Sequence, residues 1–372
     1  MIGPSGTAGV DALALHMSDG LVDARASAWF FLIAVIGVGI AVWYARSDLD
    51  KRSVPTAALV TALVFALQVV DVPVLPDVSG HVVGAALAAI LLGPFVGALA
   101  VTLVLVVQAF VFADGGLSAL GSNVTNMVLI AVAAAFLTAT ALRALLEHRR
   151  VRSGALVLGP ASFAAGFVSV LAAVTGFVVE YALGGSTAVP LSNIGFLYAT
   201  HVPVGLVEGV VTAALVLAVA RVSPESVYLT RMPVNPLDPD ASPAPRPRPR
   251  SRGALFVGLG FTTLIVAGIV APLAVDWPGA LEVTTTRGCE TGTLPGDITG
   301  ECMAEDVEEH SLADGPLAGY AIDGRSGSTG IATVLGALGT FVLASVCFRA
   351  LVARPVVTTP SRSDSPRTAS AG

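Results

Sequence analysis

The sequence predicts an all-α integral membrane protein, and three observations carry that prediction. Of the 372 residues, 54% are hydrophobic and only 12% are charged, about half the charged fraction of a typical soluble domain. The mean hydropathy is +0.81. Long apolar runs without charge recur along the chain, as in proteins that cross a membrane several times. These features exclude the soluble enzyme classes, and a net charge of −6 offers no basic surface for nucleic acid.

Hydropathy predicts nine transmembrane spans. One apolar run, residues 81–113, is too long for a single span, and we divide it at Gly93-Pro94, where proline removes a backbone donor and favours a turn. The resulting spans lie near residues 28–45, 55–71, 81–93, 95–113, 123–146, 155–182, 195–220, 254–275 and 329–352.

Positive charge predicts the orientation. Arginine and lysine concentrate after the first span, near residues 149–152, between residues 221 and 252, and after the last span. With nine spans these segments share one side, which is therefore predicted to be cytoplasmic. The segment 276–328 carries eleven acidic residues and is predicted to lie outside. The N-terminus is then outside and the C-terminus inside.

Composition predicts five segments. A seven-span part, residues 15–221, is followed by a linker rich in proline and arginine, residues 222–252, expected to be extended and semi-rigid. A two-span part covers residues 253–354, and the polar tail 355–372 has the composition of a disordered segment. Residues 1–14 have neither a basic region nor an apolar run typical of a secretory signal.

Two of the five histidines stand at the predicted outer mouth of apolar helices. His16 and His81 are placed there by the topology, and two converging imidazoles can bind a borderline divalent metal such as Ni²⁺, Co²⁺ or Zn²⁺. We expect His148 and His310, in polar loops, to be solvated. His201 and Glu208 lie seven residues apart on one helix face, where we expect a packing network more than direct metal contact.

The sequence also resembles the nickel/cobalt substrate-binding membrane subunits of energy-coupling-factor importers. The resemblance extends in the expected order over residues 15–221. Its motifs are residues 16–20 (HMSDG), 79–84 (SGHVVG), 91–94 (LLGP), 108–110 (QAF), 113–127 (ADGGLSALGSNVTNM) and 201–209 (HVPVGLVEG).

This resemblance implies a seven-helix bundle that holds the metal near the outer surface. The implied ligands are the terminal amine of the residue before His16, the amide nitrogen and imidazole of His16, and the imidazole of His81. Such a set of four nitrogens suits Ni²⁺ and low-spin Co²⁺ better than tetrahedral Zn²⁺. The residue in the first position is Leu15, which fourteen residues precede. We therefore expect Leu15 to be the true first residue, either as a misassigned start or after removal of residues 1–14.

Polar residues of the same motifs are candidates to orient the two histidines through their free ring nitrogens. The alternative for each of them is helix capping or loop hydrogen bonding. They are Asp19, Gln108, Asp114, Asn123 and Asn126.

The two-span part resembles the small accessory subunit of nickel-type importers. Residues 304–307 (AEDV) and 315–324 (GPLAGYAIDG) carry the resemblance, although the PDGLE string is absent. It implies help in loading or releasing metal, with the outer loop near the site. Cys289 and Cys302 share that loop, where an oxidising exterior favours a disulfide, while reduced thiols or metal scavenging remain alternatives. We expect Cys347, in the last span, to be a buried apolar residue.

The predicted function is therefore the specificity subunit of an energy-coupling-factor importer, with Ni²⁺ or Co²⁺ as transported substrate and no prosthetic group. The single lysine, Lys51, follows no glycine-rich loop, so the chain has no P-loop. ATP hydrolysis would fall to partner ATPases, working with a transmembrane scaffold subunit in the cell membrane. The chain itself is then no enzyme. The alternative is an ATP-independent channel or a proton-coupled carrier, although no relay of ionisable residues crosses the predicted spans.

Overall fold

A computed structural model describes residues 16–149, 154–232, 252–291, 298–300, 302–325 and 327–352. The predicted extension 1–14, Leu15, the tail 355–372 and most of the predicted linker lie outside the described residues.

The described chain is almost entirely helical, which confirms the predicted fold class. The helices are α1 (Ala24–Asp48), α2 (Val54–Gln68), α3 (Ala85–Leu92), α4 (Pro94–Val111), α5 (Leu120–His148, with a π-helical turn at Val124–Ile130), α6 (Gly154–Gly184), α7 (Leu191–Val222), α8 (Tyr228–Arg231), α9 (Arg252–Ile265, continued by helical turns to Leu273), α10 (Ala280–Thr285) and α11 (Thr329–Val352). Two antiparallel hairpins pair β1 (Asp71–Leu75) with β2 (Val78–His81) and β3 (Glu290–Thr291) with β4 (Ile298–Thr299).

Helices occur at all nine predicted spans, but only seven of those described are long and apolar enough to cross a membrane. The helices α2 and α3 have 15 and 8 residues. An eight-residue helix is about 12 Å long, well short of a hydrocarbon core of about 30 Å. A count of nine spans and an outer N-terminus therefore stay predictions.

The short helix predicted near residues 81–93 is present as α3, but it begins at Ala85, because the chain first completes strand β2 and a turn. His81 ends β2, and Gly84 has a φ of +71° that turns the chain into α3. The break at Gly93-Pro94 is confirmed, since α3 ends at Leu92 and α4 begins at Pro94. All of α3 is buried between α4, α5, α6 and α7, so it forms the centre of the bundle.

The start of the predicted linker differs from expectation. After α7 ends at Val222, a 3₁₀ turn (Pro224–Ser226) and α8 pack back on the bundle, with Val227 and Leu229 fully buried. These apolar side chains distinguish residues 222–232 from the proline-rich sequence that follows.

The two-span part packs on the seven-span part through α2. Helix α11 lies along α2 so closely that a Cβ at Gly336 would come within 2.3 Å of the Phe65 ring. The described residues of the acidic segment 276–328 then fold over the end of the bundle at which α1 begins, where Pro278 and Glu308 bond to its loops. This end carries His16 and His81, and we call it the histidine end.

Candidate metal centre

The N-terminal loop that carries His16 is held by the loop between α4 and α5. The Gly116 amide donates to the Met17 carbonyl at 2.8 Å. Asp19 Oδ1 accepts from both the amide and the hydroxyl of Ser118, at 2.6 and 2.7 Å. A side chain at Gly116 would meet the Asp19 backbone, so only glycine permits this approach. Asp19 therefore fixes the loop and does not contact an imidazole through these bonds.

His16 and His81 meet at the histidine end, 65 positions apart in sequence. Their ring centroids lie 5.0 Å apart at an interplanar angle of 62°. His16 is 3% exposed, and its Nδ1 donates to Asp114 Oδ1 at 3.0 Å. Its Nε2 is buried without a hydrogen-bond partner among the described residues. A buried ring nitrogen without a partner is costly unless a ligand satisfies it.

His81 is held in place from both sides. Strand β1 pairs Asp71 with His81, and beyond it the amides of Val83 and Gly84 donate to the Glu208 carboxylate at 2.8 and 3.0 Å. Burial and the neighbouring His16 lower the pKa of His81 to about 4. The ring is therefore neutral at pH 7, the form that binds metals.

Asp114 links His16 to a more distant part of the chain. Its Oδ2 accepts from the Tyr320 hydroxyl at 2.5 Å, and Gln108 Nε2 donates to that hydroxyl at 3.1 Å. Burial would raise the pKa of Asp114, but His16 and these hydrogen bonds hold it below its ordinary value. Asp114 is thus an ionised carboxylate oriented towards His16. Gln108 acts one step further away.

The two asparagines hold Met17 in place and make no hydrogen bond to the imidazoles in the described structure. Asn123 makes two 3.1 Å hydrogen bonds to the Met17 backbone. Asn126 donates to Glu180 Oε2 at 2.9 Å and lies 3.6 Å from the Met17 sulfur. Met17 is the residue that follows His16, so both asparagines set the path of the loop next to the candidate ligand.

His201 lines the same cavity as His16 and His81, a space of about 80 Å³. Its Nδ1 donates to the Leu197 carbonyl at 2.8 Å, so the lone pair is on Nε2. Glu208, seven residues further along α7, points instead to the turn after β2. The two residues therefore act at different places, although they share a helix face.

The acidic segment closes the cavity. Gly279, Ala280 and Leu281 are among its lining residues. The Ser79 amide donates to the Pro278 carbonyl at 2.9 Å, and the Glu308 amide donates to the Asp19 carbonyl at 2.9 Å. Ser79, two residues before His81, and Asp19, three residues after His16, are thus both bonded to the two-span part, which we call the accessory part.

Cys289 and Cys302 form a disulfide within this segment. Cys347, in α11, is partly exposed.

Three participants were missed as site residues by sequence reasoning: Glu180, Tyr320 and Ser79. Glu180 had a usable signal, since a carboxylate within an apolar span is costly and demands a partner. Tyr320 and Ser79 had none, because their roles depend on contacts between parts that are far apart in sequence.

The described residues contain no group of three histidine, cysteine, aspartate or glutamate side chains arranged to hold a metal ion. Of the three imidazoles that line the cavity, only those of His16 and His81 face each other, and His201 forms no metal-holding group with them. A complete ligand set would therefore draw on backbone nitrogen or on residue 15.

Comparison with known proteins finds two family matches in this chain. The family described as the cobalt uptake substrate-specific transmembrane region matches residues 16–226, and the PDGLE domain matches residues 253–353.

Three similar relatives have names that refer to metal transport. A provisionally named metal transport protein of Haloquadratum walsbyi is 32% identical, over 61% of this chain and 99% of its own length. The cobalt transport protein CbiM of Geobacter sulfurreducens is 30% identical, over 77% of this chain and 81% of its own length. The fused nickel transport protein NikMN of Rhodobacter capsulatus is 30% identical, over 60% of this chain and 66% of its own length.

Among solved structures, the crystal structure of a truncated transition metal transporter aligns at 26% identity and a TM-score of 0.47. The alignment covers 55% of this chain and 98% of that one.

Proposed function

Since the chain belongs to the family of cobalt uptake substrate-specific transmembrane proteins, a family of metal transport proteins and not of enzymes, we propose that it is the specificity subunit of an energy-coupling-factor importer. It captures Ni²⁺ or Co²⁺ at the outer face of the cell membrane and delivers the ion inward. A transmembrane scaffold subunit and cytoplasmic ATPases drive the cycle. The absence of a P-loop from the sequence supports the assignment of ATP hydrolysis to other chains.

The single observation that carries the proposal is the pair of facing imidazoles, of which His16 is buried and His81 is partly buried. His16 and His81 face each other, with ring centroids 5.0 Å apart, in one cavity. We propose that the metal takes four nitrogen ligands: the amine of Leu15 as first residue, the amide and imidazole of His16, and the imidazole of His81. Leu15 lies outside the described residues, so its place in the site rests on the family resemblance.

The four-nitrogen set defines which atom of His16 must bind. A chelate ring that includes the amide of His16 closes through Nδ1, because Nε2 points away from its own backbone. In the structure Nδ1 donates to Asp114 Oδ1. Loading therefore requires the imidazole to turn about its Cβ–Cγ bond and leave Asp114. A strong-field planar set formed in this way favours Ni²⁺ or low-spin Co²⁺.

Bound metal in two purified chains tests the site. One begins at Met1, and the other replaces Leu15 by an initiating methionine, so that His16 becomes the second residue. We expect about one Ni²⁺ or Co²⁺ per chain by elemental analysis only in the shorter protein. His81→Ala should abolish loading, whereas His310→Ala, a histidine of the outer segment away from the cavity, serves as the matched control. Equal loading of both chains, with intact masses showing residues 1–14 retained, would contradict the amine ligand.

The energy source has its own test. Uptake of ⁶³Ni or ⁵⁷Co by cells that express this chain should require co-expressed scaffold and ATPase subunits. Full uptake by the chain alone would favour the ATP-independent channel or proton-coupled carrier.

A further inference from the structure

A line of hydrogen bonds connects the accessory part to the candidate ligand. The Tyr320 hydroxyl donates to Asp114 Oδ2 at 2.5 Å, and Asp114 Oδ1 accepts from His16 Nδ1 at 3.0 Å. Tyr320, Asp114 and His16 are all less than 9% exposed, so water does not compete for these bonds. Tyr320 is 304 positions from His16 in sequence, and the line joins the two matched domains.

The position of the Tyr320 hydroxyl is fixed by packing. Its ring stacks on Phe112 at a centroid distance of 4.7 Å and an interplanar angle of 17°. The neighbouring Gly319 amide donates to the Phe112 carbonyl at 2.9 Å, and Gln108 donates to the hydroxyl itself. A hydroxyl held in this way keeps one oxygen of Asp114 in place, and with it the oxygen that faces His16.

The carboxylate and a chelated metal require the same atom. A ring nitrogen that donates its hydrogen to Asp114 has no lone pair for a metal. The chelate proposed above closes through that same Nδ1. Every increase in the stability of the Asp114–His16 bond therefore lowers the fraction of the protein that is competent to hold metal, and the apparent affinity falls in proportion.

We propose that Tyr320 is a positioning residue through which the accessory part promotes metal release: it holds Asp114 where the carboxylate withdraws the His16 imidazole from the ion. This inference rests on the proposed function of the site. It assigns to one hydroxyl group the control of how long the metal stays bound.

The rate of Ni²⁺ release tests the proposal in the protein that begins at residue 15 and includes the accessory part. Tyr320→Phe keeps the stacked ring and removes the hydroxyl. We expect the dissociation rate, measured with a chromogenic chelator as acceptor, to fall about tenfold, as follows from losing one hydrogen bond to a charged group. The apparent Kd should fall by the same factor.

Tyr181→Phe is the matched control. The Tyr181 hydroxyl donates to the Met303 carbonyl at 3.0 Å, so this variant also removes a buried bond between the acidic segment and the bundle. It does not touch Asp114, and we expect wild-type release. Equal slowing in both variants would show a general effect of loosening the accessory part from the bundle, and this would overturn the proposal. Unchanged or faster release in Tyr320→Phe would overturn it too.

A second variant and a spectrum keep the test decisive. Gln108→Met leaves the Tyr320 ring intact and removes the donor to its hydroxyl. We therefore expect Ni²⁺ release to slow by a smaller factor than in Tyr320→Phe. The absorption bands of bound Ni²⁺ should stay at the wild-type positions, because no ligand changes; shifted bands would overturn the positioning role. A wild-type chain that binds no Ni²⁺ would refute the proposed function itself, whereas wild-type binding with unaltered variants refutes this inference alone.

Discussion

Gly116→Ala should weaken metal binding without disturbing the bundle. A Cβ at this position would lie 2.2 Å from the Asp19 amide nitrogen and 2.6 Å from its Oδ1, against 3.4–4 Å for ordinary contacts. The φ of Gly116 is not positive, so alanine itself is unstrained there. The loop from His16 to Asp19 must therefore retreat by about 1 Å, more than the ±0.2 Å tolerance of a metal–ligand distance.

The size of the effect follows from the hydrogen bonds that the retreat breaks. The bond from Gly116 to Met17 is neutral, and the two bonds from Ser118 reach a carboxylate. Losing the first bond and weakening the other two raises the free energy of the loop conformation that binds metal by about 2–3 kcal/mol. That corresponds to a Kd for Ni²⁺ roughly 30- to 150-fold higher.

Isothermal titration of the detergent-solubilised chain that begins at residue 15 measures this change. Gly195→Ala in α7 is the control, since a Cβ there meets nothing within 4 Å, and it should bind as the wild type does. The melting temperature of both variants should stay near that of the wild type. A Kd for Gly116→Ala within twofold of the wild-type value would refute the role of this loop in positioning His16.

Three further changes have expected outcomes. Glu208→Leu leaves the buried amides of Val83 and Gly84 without an acceptor, which costs about 1–3 kcal/mol for each and should lower both the melting temperature and Ni²⁺ affinity; Glu208→Gln, which retains one oxygen, should do less. Burial, with nearby acidic groups, raises the pKa of Asp71 to about 8 from 3.8. The folded state then holds a proton that the unfolded chain has lost, so stability falls as pH rises from about 4 to 8, and Asp71→Asn should flatten that dependence in thermal melts at pH 5 and pH 8. Cys289→Ser opens a loop of 13 residues and should destabilise the outer segment by about 3 kcal/mol, and a reductant should bring the wild type to the same melting temperature.

The sequence was sufficient to predict the long helices and the break between α3 and α4. Hydropathy reports lengths of apolar chain, and Gly93-Pro94 is a strong local signal. It was insufficient for the β1–β2 hairpin, because these strands have only five and four residues and lie where one predicted span ends and the next begins. The turn at Pro76-Asp77 was the available signal, since aspartate tolerates the positive φ of 60° found there.

The sequence predicted which two histidines lie together, but not the hydrogen bonds around them. Two histidines placed at the mouths of apolar helices were expected to converge, and they do. The partner of each polar residue was not predictable, because a hydrogen bond depends on positions within 1 Å that sequence spacing does not specify. Asn123 and Asn126 illustrate this limit: orienting the imidazoles and bonding to the loop were both open for them, and they contact Met17.

The arrangement of these contacts shows how the accessory part supports the proposed metal site. Its acidic segment bonds to Ser79, two residues before His81, and to Asp19, three residues after His16. Through Tyr320 it also reaches the carboxylate that holds His16. Each candidate imidazole is thus supported by backbone that belongs to the other part of the chain. A small displacement of α11 along α2 would act on both histidines together. Fusion keeps the two parts in equal number at a high effective concentration. His16 and His81 therefore always have the accessory part beside them. We therefore expect the closely packed surface between α2 and α11, more than the linker, to determine whether the accessory part acts on the metal.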